Sequence, residues 1–260
     1  MLMRIGIVSD LHAEFWKARD FAVMQSKLRA TLAGSDIILL AGDIDHGDRA
    51  VDTAHTLFPD LPVFMVAGNH EFYGSDYDTV RARLTSKDNV RVLQQETIDL
   101  TPLGAPVRLI ATTLWTDFNL MLDPDIAMFH ASRTMNDFRL IQYCHRRLRP
   151  QDTLLWHNTE RTWLLEQIKR PFAGKTIVMT HHAPAALAVL DPFIDDPLSP
   201  SFASRIEDDL IRYHVDLVVW GHTHQSVDRL IDQTRFLSNQ TGYIRGDRSE
   251  TGDYGQITEI

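Results

Sequence analysis

One cysteine, Cys144, is all that 260 residues contain. An intramolecular disulfide is therefore impossible, and the fold must rest on its core rather than on covalent staples. A lone thiol of this kind is read as a small buried or half-buried residue. Long hydrophobic runs are also missing. No stretch approaches the roughly 18 apolar residues of a membrane span, and the opening MLMRIGIVSD is too short in its apolar part for a secretory signal. The expectation is a soluble, cytoplasmic chain. Positive charge is scarce: 26 Lys and Arg stand against 35 Asp and Glu, a formal net charge of −9. With no basic run, a nucleic-acid groove or an anionic membrane surface is a poor match. Repeats, low-complexity tracts and linkers are absent too, so residues 1–260 read as one domain.

What is present is a series of short, β-branched apolar runs bounded by turn residues, at 4–8, 36–40, 63–66, 107–113, 175–180 and 215–220. These read as buried strands. A pair at 229–231 and 234–237, separated by Asp232 and Gln233, predicts a hairpin. Helical spacing of Phe21, Met24, Leu28 and Leu32 predicts a helix over 15–33. Others are expected over 76–84 and over 158–168, where Trp163, Leu164 and Ile168 can share a face. The intervals from Asp10 to Asp43 and from Asp43 to Asn69 suit strand–helix–strand units with right-handed crossovers. Residues 118–155 show no clean period and read as a helical excursion over one end of the sheet. Residues 184–202 hold four of the 11 prolines and read as a long loop.

Five strands end in one kind of chemistry. IGIVSDLH delivers Asp10 and His12, IILLAGDID delivers Asp43, VFMVAGNHE delivers Asn69 and His70, TIVMTHHAP delivers His181 and His182, and LVVWGHTH delivers His222 and His224. Ligands of open sheets bind beyond the carboxyl ends of the strands. Residues two apart in extended chain project the same way, about 6–7 Å apart, so Asp10 with His12 and His222 with His224 can each aim two groups into one crevice. A single polar residue at a strand end is usually a cap or a solvated side chain. Five such ends carrying almost nothing but His, Asp and Asn point to metal. Imidazole with carboxylate and no thiolate suits Mn, Fe, Zn or Co. The ligands are too many for one tetrahedral ion and suit two divalent transition-metal ions about 3.5–4 Å apart. Asp43, on a central strand, is the natural shared carboxylate.

In their order, the blocks D-x-H, G-D, G-N-H-E, T-H-H-A-P and G-H-T-H resemble the calcineurin-like metallophosphoesterase family. The resemblance spans Asp10 to His224. It implies an α/β (α+β) fold, a two-sheet β sandwich flanked by helices, with the metal site at the C-terminal ends of the strands. It further implies that Asp10, His12, Asp43 and His224 hold one ion and that Asp43, Asn69, His181 and His222 hold the other. His181 is preferred to His182 because similar motifs use the first histidine after the strand. His182 is then expected at the substrate rim.

The chemistry expected is hydrolysis of a small phosphate monoester or diester by in-line attack of a metal-bridging hydroxide. His70, directly after a ligand, is the candidate acid or phosphate contact, with a merely supporting hydrogen bond as the plainer role. Asp45, His46 and Trp115 are further candidates for the pocket wall, although loop polarity and packing are the commoner roles for such residues. Phe118 is a candidate for the apolar part of that wall, with packing again the commoner role, and Asn239 is a candidate support for the site, with a turn residue as the plainer role. A nuclease, a protein phosphatase and a non-catalytic scaffold are the alternatives. The first wants a basic groove and the last wants missing ligands; this chain has neither.

Overall fold

The computed structural model describes residues 2–121, 123–190, 193–245 and 248–260. Residues 122 and 191–192, inside the two segments that the sequence leaves irregular, lie outside the described residues.

The strands are β1 (Arg4–Val8), β2 (Ile37–Leu40), β3 (Val63–Met65), β4 (Val90–Val92), β5 (Glu96–Asp99), β6 (Val107–Ala111), β7 (Gln142–Tyr143), β8 (Arg146–Arg147), β9 (Lys175–Met179), β10 (Leu217–Val219), β11 (Val227–Ile231), β12 (Thr234–Ser238), β13 (Ile244–Arg245), β14 (Arg248–Ser249) and β15 (Gln256–Glu259). The helices are α1 (Ala18–Thr31), α2 (Arg49–Leu57), α3 (Tyr77–Arg83), α4 (Pro124–Thr134), α5 (Asp137–Leu140), α6 (Pro150–Ile168) and α7 (Glu207–Arg212).

One sheet has the order β15-β1-β2-β3-β4 and the other β11-β12-β10-β9-β6-β5. Within the first, β1, β2, β3 and β4 run parallel. Within the second, β12, β10, β9 and β6 run parallel. The antiparallel strands β15, β11 and β5 lie at sheet edges.

Alternation along each central strand explains the layers. Ile5, Ile7, Ile37 and Leu39 meet Leu109, Ile177, Met179, Leu217 and Val219 in a core between the sheets. The intervening Val8, Ile38 and Leu40 pack outward under Leu28, Leu32, Ala54 and Leu57 of the first helices. Val178 and Val218 pack outward with Leu164, Ile168 and Leu210 of α6 and α7. Both faces of the parallel strands are buried, so their sequences are continuous apolar runs rather than alternating ones.

Differences from the sequence reading have local causes. Residues 118–155 hold α4, α5, the β7–β8 hairpin and the start of α6, which begins at Pro150 rather than 158. Pro150 sits in the first turn, where its missing N–H costs nothing. Cys144 is exposed, not buried. It shares the β7–β8 turn with His145, both at positive φ (49° and 61°), a two-residue hairpin turn that projects its side chains outward. Strands β4, β5 and β15 carry too few apolar residues to be read from pattern alone, while helix α2 occupies the second of the two expected strand–helix–strand intervals. No helix among the described residues is long and apolar enough to cross a membrane.

Candidate active site

The loops leaving β1, β2, β3, β9 and β10 converge at one end of the sandwich. Five of the residues there take backbone angles that side chains rarely adopt: Asp10 (φ 55°), His12 (50°), Asp43 (56°), His222 (70°) and His224 (48°). Such strain costs of order 1–3 kcal/mol per residue and persists only where surrounding structure imposes it. Here the imposing contacts are visible. Asp10 N donates to Gly42 O at 3.0 Å and His12 N to Asp43 O at 3.0 Å. His222 N donates to Asp10 Oδ1 at 2.9 Å. Gly68 is obligatory, because a Cβ there would overlap Asp43 Oδ1 and stand 2.5 Å from the His181 ring.

Two donor groups result. Ligating atoms of Asp10, His12 and His224 lie within 4.8 Å of one another, and so do those of Asp43, His181 and His222. Asp43 joins the groups: its Oδ1 is 3.5 Å from His181 Nε2 and its Oδ2 is 3.9 Å from His12 Nε2. Asn69 Oδ1 is 3.0 Å from His181 Nε2.

The tautomers follow from the acceptors behind each ring. His181 Nδ1 faces the Ala41 carbonyl at 2.8 Å, and a carbonyl only accepts, so Nδ1 carries the hydrogen. His224 Nδ1 faces Glu250 Oε2 at 2.8 Å, and His12 Nδ1 faces Glu14 Oε1 at 3.3 Å. The Nε2 lone pairs of these three rings are thereby turned into the site, as carboxylate- and carbonyl-backed metal ligands require. His12 Nε2 and His224 Nε2 then meet at 2.9 Å as two acceptors, and His181 Nε2 meets the Asn69 carbonyl oxygen in the same way. His222 Nε2 is buried with no hydrogen-bond partner among the described residues. Acceptors facing acceptors in a dry site are unfavourable unless a cation lies between them.

Charge gives the same answer. Burial holds the His12 imidazole down to about 3 and His181 down to about 4. Burial, then the neighbouring His182 and His181 rings, pushes His222 well below its ordinary value. Burial, followed by the Glu71 and Asp10 carboxylates, raises Asp43 well above its own. Buried carboxylates crowd together while the imidazoles stay neutral, and two divalent cations fit that deficit of positive charge.

A further layer holds these groups. Glu71, wholly buried, accepts from the backbone N–H groups of Asp43 (3.1 Å), Ile44 (2.7 Å) and Gly68 (2.7 Å), tying the β2 and β3 loops together. Asp137 Oδ1 accepts from Asn69 Nδ2 at 2.8 Å and from the Tyr73 hydroxyl at 2.6 Å. That pair turns the Asn69 amide so that its oxygen, not its nitrogen, faces His181. Glu14 Oε1 lies 2.7 Å from His70 Nδ1. Burial pushes the Glu14 carboxyl up, but hydrogen bonds from His12 and His70 outweigh it and hold the group below the usual carboxylate range. Tyr243 stacks on His12 with ring centroids 4.6 Å apart. Glu14 and Glu71 sit beside residues the motifs single out, so proximity in sequence is a signal for both. Asp137, Tyr243 and Glu250 carry none.

A cleft of about 310 Å³ opens over this cluster, bordered by Asp43, Asn69, His70, His222, His224 and Tyr243 among others. Several expected wall residues are elsewhere. Trp115 is buried against Phe72, Trp156 and His182. Phe118 is buried in the core outside the first sheet. His182 is not at a rim: it is 2% exposed, wedged between Trp115 and His222 with ring centroids 4.8 and 4.2 Å away. Asp45 binds Arg49, Thr53 and the His46 N–H, bracing the start of α2. His46 stands behind Glu14, its Nε2 3.9 Å from Oε1. Asn239 ties the base of the site, its carbonyl accepting from Ser9 N and its Oδ1 from Gly255 N. Asp45 and Asn239 are occupied by backbone and helix partners, while Trp115, Phe118 and His182 are held by burial and ring packing.

A sandwich of two mixed sheets with a His, Asp and Asn cluster at the strand ends defines the class of dimetal phosphoesterases. Over residues 3–226 the chain matches the family of calcineurin-like phosphoesterases, and it belongs to that family. Among solved structures it is similar to a phosphopantetheinyl hydrolase from Mycobacterium tuberculosis (TM-score 0.70, 15% identity, covering 99% of this chain and 96% of that one). It also resembles a dimetal phosphatase from Danio rerio (TM-score 0.53, 12% identity, covering 99% and 98%). At such identities the likeness is one of fold. No curated protein sequence matches the chain.

Proposed function

We propose that this chain hydrolyses a small phosphate monoester or diester at a pair of divalent ions, with His70 as the acid for the leaving oxygen. Family membership supports metal-dependent phosphoester hydrolysis. The observation that carries the finer reading is Asp43, one carboxylate whose two oxygens lie 3.5 Å from His181 Nε2 and 3.9 Å from His12 Nε2, between the two groups of converging ligand atoms. On this reading Asp10, His12, Asp43 and His224 hold one ion, and Asp43, Asn69, His181 and His222 hold the other. When bound, the ions supply Lewis acidity toward the phosphoryl oxygens and make water a nucleophile near neutral pH.

The protein's own contribution is positional. The Nδ1–H of His70 donates to the Glu14 carboxylate, which fixes the ring and directs Nε2 toward the cleft, 4.0 Å from Asp43 Oδ2. A proton held at Nε2 can pass to the departing alkoxide, and the adjacent Glu14 charge offsets the imidazolium. The net charge of −9 disfavours nucleic acid as the substrate.

The test is a panel of cyclic nucleotides, head-group esters and aryl phosphates assayed with Mn and with Zn, before and after chelation. Hydrolysis abolished by chelator and restored by metal is expected. A protein that holds two ions and turns over none of these refutes the reading. His70→Ala then examines the acid. It should keep both ions and lose about 10²–10⁴ in rate on an alkyl ester but far less on a nitrophenyl ester, whose leaving group needs no proton. Equal losses on the two esters would reject the acid role.

A further inference from the structure

Beside the cleft lies a second cavity of about 280 Å³, bounded by Ala188, Val189, Leu190, Phe193, Leu198 and Phe202 together with Asp196, Ser199, Thr223 and Gln225. The two spaces share two walls, Phe202 and Thr223. Phe202 lies flat on His222, with ring centroids 4.9 Å apart and planes 28° apart. The same ring therefore borders a candidate metal ligand and the second cavity.

The cavity's chemistry is distinctive. Most of its lining is carbon, and its polar members are partly occupied with their own loop. Ser199 Oγ donates to Phe193 O at 2.6 Å, and Asp196 Oδ1 accepts from Leu198 N at 2.8 Å. Among the described residues no Lys, Arg or His borders it, so a second phosphate would find no counter-charge from them and would meet Asp196. Sugar hydroxyls would find few partners. The volume is near the lower end of the roughly 300–1,000 Å³ typical of small-molecule sites. At its mouth Leu190 is 45% and Phe193 51% exposed, large apolar side chains left open to water. Exposed apolar surface adjoining a polar catalytic cleft marks a place for a ligand's apolar part.

The geometry points to a phosphoester whose organic arm is an uncharged aliphatic chain, seated in the second cavity while its phosphate lies in the cleft. This inference rests on the proposed phosphoester chemistry and adds the substrate class. Phe202 is the divider that turns the arm away from the metal ligands, and the described residues 188–190 and 193–199 supply most of the remaining walls. A nucleoside, a peptide or an inositol-like head group fits the lining poorly, because each brings more polar groups than Gln225 Oε1, which has no hydrogen-bond partner of its own among the described residues, and the few other polar atoms of the lining can meet.

The experiment is a binding series on Mn-loaded protein, followed by calorimetry, with inorganic phosphate and n-alkylphosphonates from methyl to octyl. Phosphonates are not hydrolysed, so affinity is read without turnover. At about 0.8 kcal/mol per buried methylene, affinity should rise about fourfold for each one. That amounts to about 60-fold between methyl and butyl, with a plateau once the cavity is full. Leu190→Asp should flatten the series by placing a carboxylate in the wall. Phe193→Ala, at an exposed position that a truncation should not unfold, should move the plateau to longer chains. Flat affinity across the wild-type series, with methylphosphonate still bound, overturns the aliphatic arm and leaves the phosphoester reading intact. Failure of inorganic phosphate and every phosphonate to bind overturns both. A rising series that Leu190→Asp and Phe193→Ala leave unchanged places the chain elsewhere on the protein and also overturns the inference.

Discussion

Asp137→Ala tests how the site is held. Asp137 comes from α5, far in sequence from every candidate ligand, and its Oδ1 takes hydrogens from Asn69 Nδ2 and the Tyr73 hydroxyl. Without it, the Asn69 amide keeps only the Tyr73 oxygen as a partner for its nitrogen, at 2.9 Å. The amide is then free to turn over. Its NH₂ would face His181 Nε2, which is an acceptor because Nδ1 donates to Ala41 O. That flipped state gains a hydrogen bond in the metal-free protein and removes an oxygen ligand. The bias lost is one hydrogen bond to a charged group, about 1.5–3 kcal/mol. The 10–100-fold typical of removing a ligand's support is about 1.4–2.8 kcal/mol, so the two estimates agree. The loss should fall on one ion alone, since Asp10, His12 and His224 do not touch Asp137. Equilibrium dialysis against graded Mn is the assay. At a free concentration that just saturates the wild type, Asp137→Ala should retain about one ion per chain. Tyr73→Phe, which leaves the Asp137–Asn69 bond in place, should do less harm. Two ions held as tightly as in wild type, or both weakened alike, would refute the reasoning.

Other outcomes follow from the same contacts. Asp43→Ala should release metal more completely than Asp10→Ala, because Asp43 approaches His12 of one donor group and His181 of the other, while Asp10 serves one group; equal retention by elemental analysis would deny Asp43 the shared position. Glu71→Ala strands three buried N–H groups at about 1–3 kcal/mol each, a large part of a typical 5–15 kcal/mol stability. Urea unfolding of the metal-free protein should show it, and a change below about 1 kcal/mol would mean those groups find other acceptors. Glu160 accepts from Thr112, Leu114 and Gln94, yet burial lifts its carboxyl from 4.5 to about 7. The folded chain thus favours the acid form. Its contribution is full below pH 4.5 and fades as pH rises through about 7, by about 3 kcal/mol. Relative to wild type, Glu160→Gln should gain stability over that window, and a pH-independent difference would refute the assignment.

Much of this protein is determined by local sequence. The central strands are legible because they are buried on both faces and so are unbroken apolar runs, Ile37–Leu40 and Leu217–Val219 among them. Their polar ends are legible for the opposite reason: Asp10, His12, Asp43, His222 and His224 interrupt those runs with groups that no core would accept. Only tertiary structure decides what stands behind them. Asp137 reaches Asn69 across 68 residues of chain, and His224 leans on Glu250 from a segment with no period of its own. Trp115, His182 and Asp45 show the limit from the other side. Each lies within a few residues of a strand end, as the ligands do, yet each is turned into the core or onto a helix. The direction a side chain takes after a strand ends depends on the backbone angles of the loop and on which neighbour satisfies its polar atoms, and both are set by packing between elements distant in sequence.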